Sequence, residues 1–317
     1  MDLKHIQRFI LMAQITLIFV FLVIIAGSVV RASGSGMGCP DWPKCFGKWI
    51  PPTDISQLPP DYKEVYAGEH HAVAEFNAWN TWTEYGNRLV GAVVGILIFI
   101  QFLLSFRFRK ADNKIFTLSL IELILIGFQG WLGAKVVSSN LAPVKITIHM
   151  LVALIILSIA VGIIYRAKKL MDKAPEAVIH PAIKKLGIAV LICTVIQIML
   201  GTQVREGVDV LLKNFDAAFR NKIVENLGIP FEIHRIFAIL VIWINFILVF
   251  RIIKSDATET LKNLSKWLTG ILVVEFLAGV ILSKFALPPP LQPIHLLLAC
   301  ITYAIQFVII LRLSRKA

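Results

Sequence analysis

Charge is scarce in this sequence of 317 residues: Asp, Glu, Lys and Arg together make up 16 %. Soluble domains carry about 25 % of these residues and are about 45–50 % apolar. Here the apolar share is 57 % and the mean hydropathy +0.76, which excludes an ordinary water-soluble globular domain. No clear small-x-small cleavage site follows the first apolar stretch, where Val29-Val30-Arg31 runs into Ala32-Ser33-Gly34. That stretch also exceeds a secretory signal core, so it is expected to remain as a helix. No single basic face concentrates the +12 net charge. Lys and Arg are instead spread over alternate connections, so nucleic acid is excluded as the partner.

What the sequence does have is apolar runs of membrane-crossing length. A helix needs roughly 20 apolar residues to cross the hydrocarbon layer. Eight runs qualify, near 9–30, 84–106, 115–134, 146–165, 186–204, 233–253, 264–283 and 293–312. Basic residues gather at Lys4 and Arg8, at 107–114, at 166–185, at 251–262 and at 312–316, while the connections between hold few. The positive-inside rule then places both termini in the cytoplasm and turns the connections 32–82 and 205–231 outward. Trp42, Trp49, Trp79 and Trp82 suit an outer aromatic belt. Cys39 and Cys45 lie in an outward connection, where an oxidising compartment lets a disulfide persist, whereas Cys193 and Cys300 fall inside apolar runs as small core residues. Leu211, Leu212, Phe215, Phe219 and Ile223 have the spacing of an amphipathic helix lying on the outer surface.

The two halves repeat one another. Gly27-Ser28-Val29-Val30-Arg31 ends the first run as Gly201-Thr202-Gln203-Val204-Arg205 ends the fifth. Asn87-Arg88 opens the second run and His234-Arg235 the sixth; Gly133 precedes His149 as Gly279 precedes His295, by 16 residues each time. From 87 to 149 the spacing is 62 residues, and from 234 to 295 it is 61. Four ordered motifs at matched spacing predict parallel repeats related by an axis along the membrane normal. The expected fold is an all-α integral membrane protein of eight transmembrane helices, arranged as two pseudo-symmetric parallel four-helix bundles over 1–170 and 171–317.

Positions 87, 149, 234 and 295 then sit just inside the outer helix ends. Neutral imidazole is a good axial ligand for heme iron, and two histidines on facing helices make a six-coordinate, electron-transferring site. His234 and His295 form such a pair, while the first half offers His149 opposite Asn87, a poor iron ligand. Hydrogen-bonded packing is the ordinary role of a lone intramembrane histidine; repeat-matched placement argues for ligation. His5 and His180 read as solvated, and His70 or His71 could reach an open iron. Arg31, Arg88, Arg205 and Arg235 either snorkel to lipid headgroups or meet heme propionates. Glu84 shares a helix face with Asn87 and Arg88, so it either pairs with Arg88 or acts near the heme on protons or on a developing cation. Glu122, Gln129 and Glu275 lie within apolar runs, and Gln129 and Glu275, which hold matching repeat positions, are expected to face inward.

This ordered set resembles the heme A synthase family over essentially the whole chain, through Glu84, Arg88, His149, His234-Arg235, His295 and the Cys39/Cys45 pair. The resemblance implies oxidation of heme O to heme A, one ring methyl becoming a formyl group through hydroxylated intermediates, in support of cytochrome oxidase biogenesis at the inner (cytoplasmic) membrane. It implies heme b iron on His234 and His295, the substrate's iron near His149, and Glu84 beside the reacting methyl, with the active face toward the periplasm. Arg31, Arg88, Arg205 and Arg235 become cofactor-side groups, and Cys39–Cys45 becomes the family's loop disulfide. Membrane lipid, heme O, a heme O synthase and an electron donor are the implied partners. Asn87 departs from the family pattern, which has His there. A di-heme b-type electron-transfer protein without heme-modifying activity is the alternative; a transporter would need broken helices and a midplane site.

Overall fold

In the computed structural model, residues 2–67, 73–171, 181–214 and 222–313 are described. Among them the helices are α1 (Leu3–Ala32), α2 (Tyr62–Val65), α3 (Ala78–Ser105), α4 (Asn113–Ser138), α5 (Pro143–Lys169), α6 (Pro181–Asn214), α7 (Ile229–Lys254), α8 (Glu259–Lys284) and α9 (Leu291–Leu313). The described residues contain no β-strand, only an isolated bridge between Cys45 and Lys48. All helices but the one-turn α2 are long and apolar enough to cross a membrane, which makes eight spans among the described residues. The chain is a multi-pass membrane protein. Large side chains such as Leu11, Ile18, Ile96, Ile124, Trp243 and Phe246 stand exposed along these helices, a surface that water would penalise and lipid accepts.

The helix starts follow local chemistry. Asp2, Asn77, Asp112 and Thr258 cap α1, α3, α4 and α8, each side chain accepting a backbone N–H of the first turn. Prolines open α5 and α6 and stand in the first turn of α7, where the missing N–H costs nothing. The chain divides into two compact units, Met1–Ala167 and Lys168–Ala317. In the first, α1 packs on α3 and α3 on α4, while Arg166 of α5 donates to Asp112 ahead of α4 at 2.9 and 3.0 Å. In the second, α6, α7, α8 and α9 close a ring of neighbours around a core that includes Val190, Leu248, Ile252, Leu268 and Ile309.

One difference from the hydropathy reading stands out. The fifth run ends at 204 by apolarity, yet α6 continues to Asn214. Its extension is held by Val208, which packs with Ile223 and Leu227, and by Leu211 against the same cluster. A separate surface helix beginning at Leu211 is therefore corrected: Leu211 and Leu212 belong to α6. Phe215 and Phe219 lie outside the described residues, as do His70, His71 and His180.

The turns entering α5 and α9 are alike. Asn140 and Leu141 have φ of 54° and 61°, and Ala286 and Leu287 both have 55°. Such left-handed residues without glycine cost about 1–2 kcal/mol each. Both pairs end eight residues before a histidine, His149 and His295. Leu141 N–H reaches back to the Val136 carbonyl, and Leu287 N–H to that of Leu282, both at 3.0 Å.

Candidate functional site

In the first unit the site is built on the opening turns of α3 and the connection 33–67 that folds over them. Glu84 is 3 % exposed. A buried carboxylate needs donors, and it has them on both oxygens. Oε2 accepts the Cys39 N–H at 3.0 Å; Oε1 accepts Arg88 Nε at 3.2 Å and also Arg88 Nη2. Arg88 also donates through Nη1 to the carbonyls of Asp41 (2.6 Å) and Lys44 (2.9 Å), and through Nη2 to that of Cys39 (3.1 Å). Cys39 and Cys45 form a disulfide. Around them Thr81 Oγ1 donates to Gly38 O at 2.9 Å, and the Asp41 carboxylate takes the N–H groups of Phe46 and Gly47 at 2.6 and 2.9 Å. Phe46 sits edge-on to Tyr62, Tyr66 and Phe76. Gly38 lies so close to α3 that a Cβ there would overlap the backbone of Asn80 and reach within 2.7 Å of Thr81 N, so only glycine fits.

Deeper in the same unit, Asn87 Oδ1 and His149 Nδ1 are buried without hydrogen-bond partners. Each faces a glycine of a neighbouring helix: a Cβ on Gly27 would stand 3.7 Å from Asn87 Oδ1, and one on Gly133 3.5 Å from His149 Cε1. Gln129, one turn before Gly133, donates to the His149 carbonyl at 3.0 Å.

The second unit repeats the facing of a glycine and each candidate ligand position. Gly201 faces His234 and Gly279 faces His295, with a Cβ at either 3.3 Å from the imidazole Cε1. Gln197, one turn before Gly201, donates to the His234 carbonyl at 3.0 Å. Glu275, one turn before Gly279, accepts Thr302 Oγ1 at 2.8 Å. Nδ1 of His234 and of His295 is likewise buried and unpartnered. The arginines part company here. Arg205 donates to Gln292 at 2.6 Å and pairs with Asp209 at 2.6 Å. Arg235 pairs with Glu232 while its side chain stays 61 % exposed. Arg31 occupies the last turn of α1.

An unpartnered imidazole nitrogen in an apolar setting costs about 1–3 kcal/mol unless something binds it. A porphyrin supplies four of an iron's ligands and needs one or two from protein, so paired histidines suffice. Among the described residues no group of three or more His, Cys, Asp and Glu gathers into a site for a bare metal ion. The buried imidazoles and their glycine walls therefore fit heme. Gln197 was not singled out from sequence, although it precedes Gly201 by four residues as Gln129 precedes Gly133. Glu122, which the sequence places in an apolar run, is fully buried and accepts Gln101 Nε2 at 2.6 Å.

The sequence pattern of the COX15-CtaA family, described as cytochrome oxidase assembly protein, matches residues 11–307. The chain is 27 % identical over 293 residues to a heme A synthase of Shewanella oneidensis, covering 84 % of this chain and 85 % of that protein. A heme A synthase of Flavobacterium johnsoniae is 23 % identical over 330 residues, covering 91 % and 94 %. One from Shouchella clausii is 30 % identical over 172 residues, covering 54 % and 49 %.

Proposed function

The chain belongs to the COX15-CtaA family of cytochrome oxidase assembly proteins, and we propose on that premise that it is a heme A synthase, an oxidoreductase converting the methyl group of heme O to the formyl group of heme A. The observation that carries this reading is the match to heme A synthases over nearly the whole of both chains. The electron-carrier alternative is not favoured, because these relatives bear the name of a heme-modifying enzyme.

In this reading the C-terminal half, 171–317, holds heme b on His234 and His295, and the group supplies electron transfer when bound. Buried, unpartnered Nδ1 atoms and the Gly201 and Gly279 walls support that assignment. The N-terminal half, 1–170, takes heme O with its iron at His149. Glu84 holds its carboxylate rigidly between Arg88 and the Cys39 N–H, where it stabilises positive charge as the substrate methyl is oxidised. Asn87 leaves the substrate iron a single protein ligand from the paired positions. Arg31, Arg205 and Arg235 serve the propionate side. The Lys and Arg distribution supports cytoplasmic termini and an active face toward the periplasm. An electron donor and a heme O synthase are the partners that the reaction requires.

The test is expression in a bacterium that makes heme O but no heme A, followed by extraction and chromatography of the purified protein's hemes. Heme A or its hydroxylated precursor is expected. Heme b alone, despite verified heme O supply and an intact electron donor, would count against the enzyme.

A further inference from the structure

An arginine has five N–H donors, and in Arg88 every one is spent inside the protein. Nε and one Nη2 hydrogen go to Glu84 Oε1, the other Nη2 hydrogen to Cys39 O, and the two Nη1 hydrogens to Asp41 O and Lys44 O. The side chain is 12 % exposed, whereas Arg235, at the matching place in the second half, is 61 % exposed, pairs with Glu232 and lies over the Phe231 ring of its own helix. A guanidinium in that state has no donor left for a propionate.

The three carbonyls it holds belong to the disulfide-closed segment 39–45, and the same segment returns the Cys39 N–H to Glu84 Oε2 at 3.0 Å. Both carboxylate oxygens of Glu84 are thus fixed by one closed circuit: Glu84 to Arg88, Arg88 to the loop, the loop to Glu84. We infer that Arg88 is a positioning residue that clamps the 39–45 loop over α3 and so fixes the direction of the Glu84 carboxylate, and that it is not a propionate ligand. Removing the clamp leaves Glu84 charged but free to turn, and opens the loop end of α3 to water. The inference rests on Glu84 being the group beside the reacting methyl, but the clamp itself is measurable without turnover.

The experiment compares the full-length wild type with Arg88→Lys, Arg88→Gln and Thr81→Val by three readouts. These are hydrogen exchange of the peptide spanning Cys39–Lys48, retention of heme O, and conversion of heme O. Thr81→Val removes the hydroxyl that holds Gly38 O at 2.9 Å without touching Arg88 or Glu84, and serves if the Arg88 variants lose their heme b spectrum and hence their fold. Loop exchange should rise at least tenfold in Arg88→Gln, conversion should fall at least tenfold, and heme O retention should change less than twofold. Arg88→Lys should lie between, since a lysine has three donors and lacks the planar fork. Thr81→Val should raise exchange and lower conversion by smaller factors in the same proportion. A tenfold loss of heme O retention with loop protection intact would make Arg88 a propionate ligand and overturn the inference. So would a loosened loop, in any variant, with conversion unchanged. If wild type makes no heme A, the enzymatic reading fails, while protected exchange in wild type and its loss in Arg88→Gln would still establish the clamp.

Discussion

Alanine at each of the four glycines that face positions 87, 149, 234 and 295 should give a graded response rather than a uniform one. The added Cβ would stand 3.7 Å from Asn87 at Gly27, 3.5 Å from His149 at Gly133, and 3.3 Å from His234 and His295 at Gly201 and Gly279. Carbon atoms pack best at about 3.5–4.0 Å. The first two additions therefore fall within ordinary contact, and the last two force the imidazole aside by a few tenths of an ångström. Replacing glycine with alanine inside a helix gains about 0.5–1 kcal/mol. Overpacking a tight site costs about 1–3 kcal/mol. Gly27→Ala and Gly133→Ala should thus be neutral or stabilising by up to about 1 kcal/mol. Gly201→Ala and Gly279→Ala should lose roughly 0–2.5 kcal/mol net, and because the ring itself is displaced, the heme b signal should change with them.

The assay is the absorption and electron paramagnetic resonance spectrum of the purified protein, with the temperature at which half the low-spin signal is lost. Gly201→Ala and Gly279→Ala should shift the low-spin signal and lower that temperature; Gly27→Ala should do neither. An unchanged spectrum in both second-half variants, or an equal disturbance from Gly27→Ala, would refute the reasoning, since the glycines would then not be the walls against which the ligands stand.

Glu84→Ala should abolish product, a loss of at least about 100-fold by analogy with removal of a fixed electrostatic group, while bound heme b remains; normal product would show that the carboxylate is dispensable. His234→Ala should eliminate the low-spin heme spectrum, and an unaltered spectrum would overturn the cofactor assignment. Asn87→His should bring the heme O-loaded protein toward a six-coordinate, low-spin substrate iron, read by magnetic resonance. The space beside Gly27 is no tighter than that beside Gly201, so a substrate iron that kept its spin state would mean position 87 does not face it.

Much of this was legible in the sequence because lipid is an unforgiving solvent. Each span must satisfy its backbone internally over about 20 apolar residues, and such runs are visible without a structure. The end of α6 was not legible, since beyond the hydrocarbon layer helix length is decided by partners. Val208 and Leu211 find theirs in Ile223 and Leu227, a contact that hydropathy does not encode. The glycine-to-histidine register was legible as a spacing, but the purpose of the glycine was not. Only the approach of two helices shows that it makes room for a ring.

The four arginines mark the boundary most sharply. By repeat position Arg88 and Arg235 are the same residue: each directly follows the candidate ligand position and each has an acidic residue one turn or less before it. Their surroundings are opposite because the repeat covers the helices and not the connections. The segment 39–45 brings three carbonyls and a disulfide to Arg88 from more than 40 positions away, while Arg235 stays largely exposed beside Glu232. A duplicated frame can thus repeat where an imidazole stands, while the chemistry around it is assigned by whichever unrepeated loop folds back over the helix end. The departure at Asn87 fits the same logic. The repeat alone would set an imidazole at 87 as at 234, yet the half that carries the added loop and the buried Glu84 carboxylate carries Asn there.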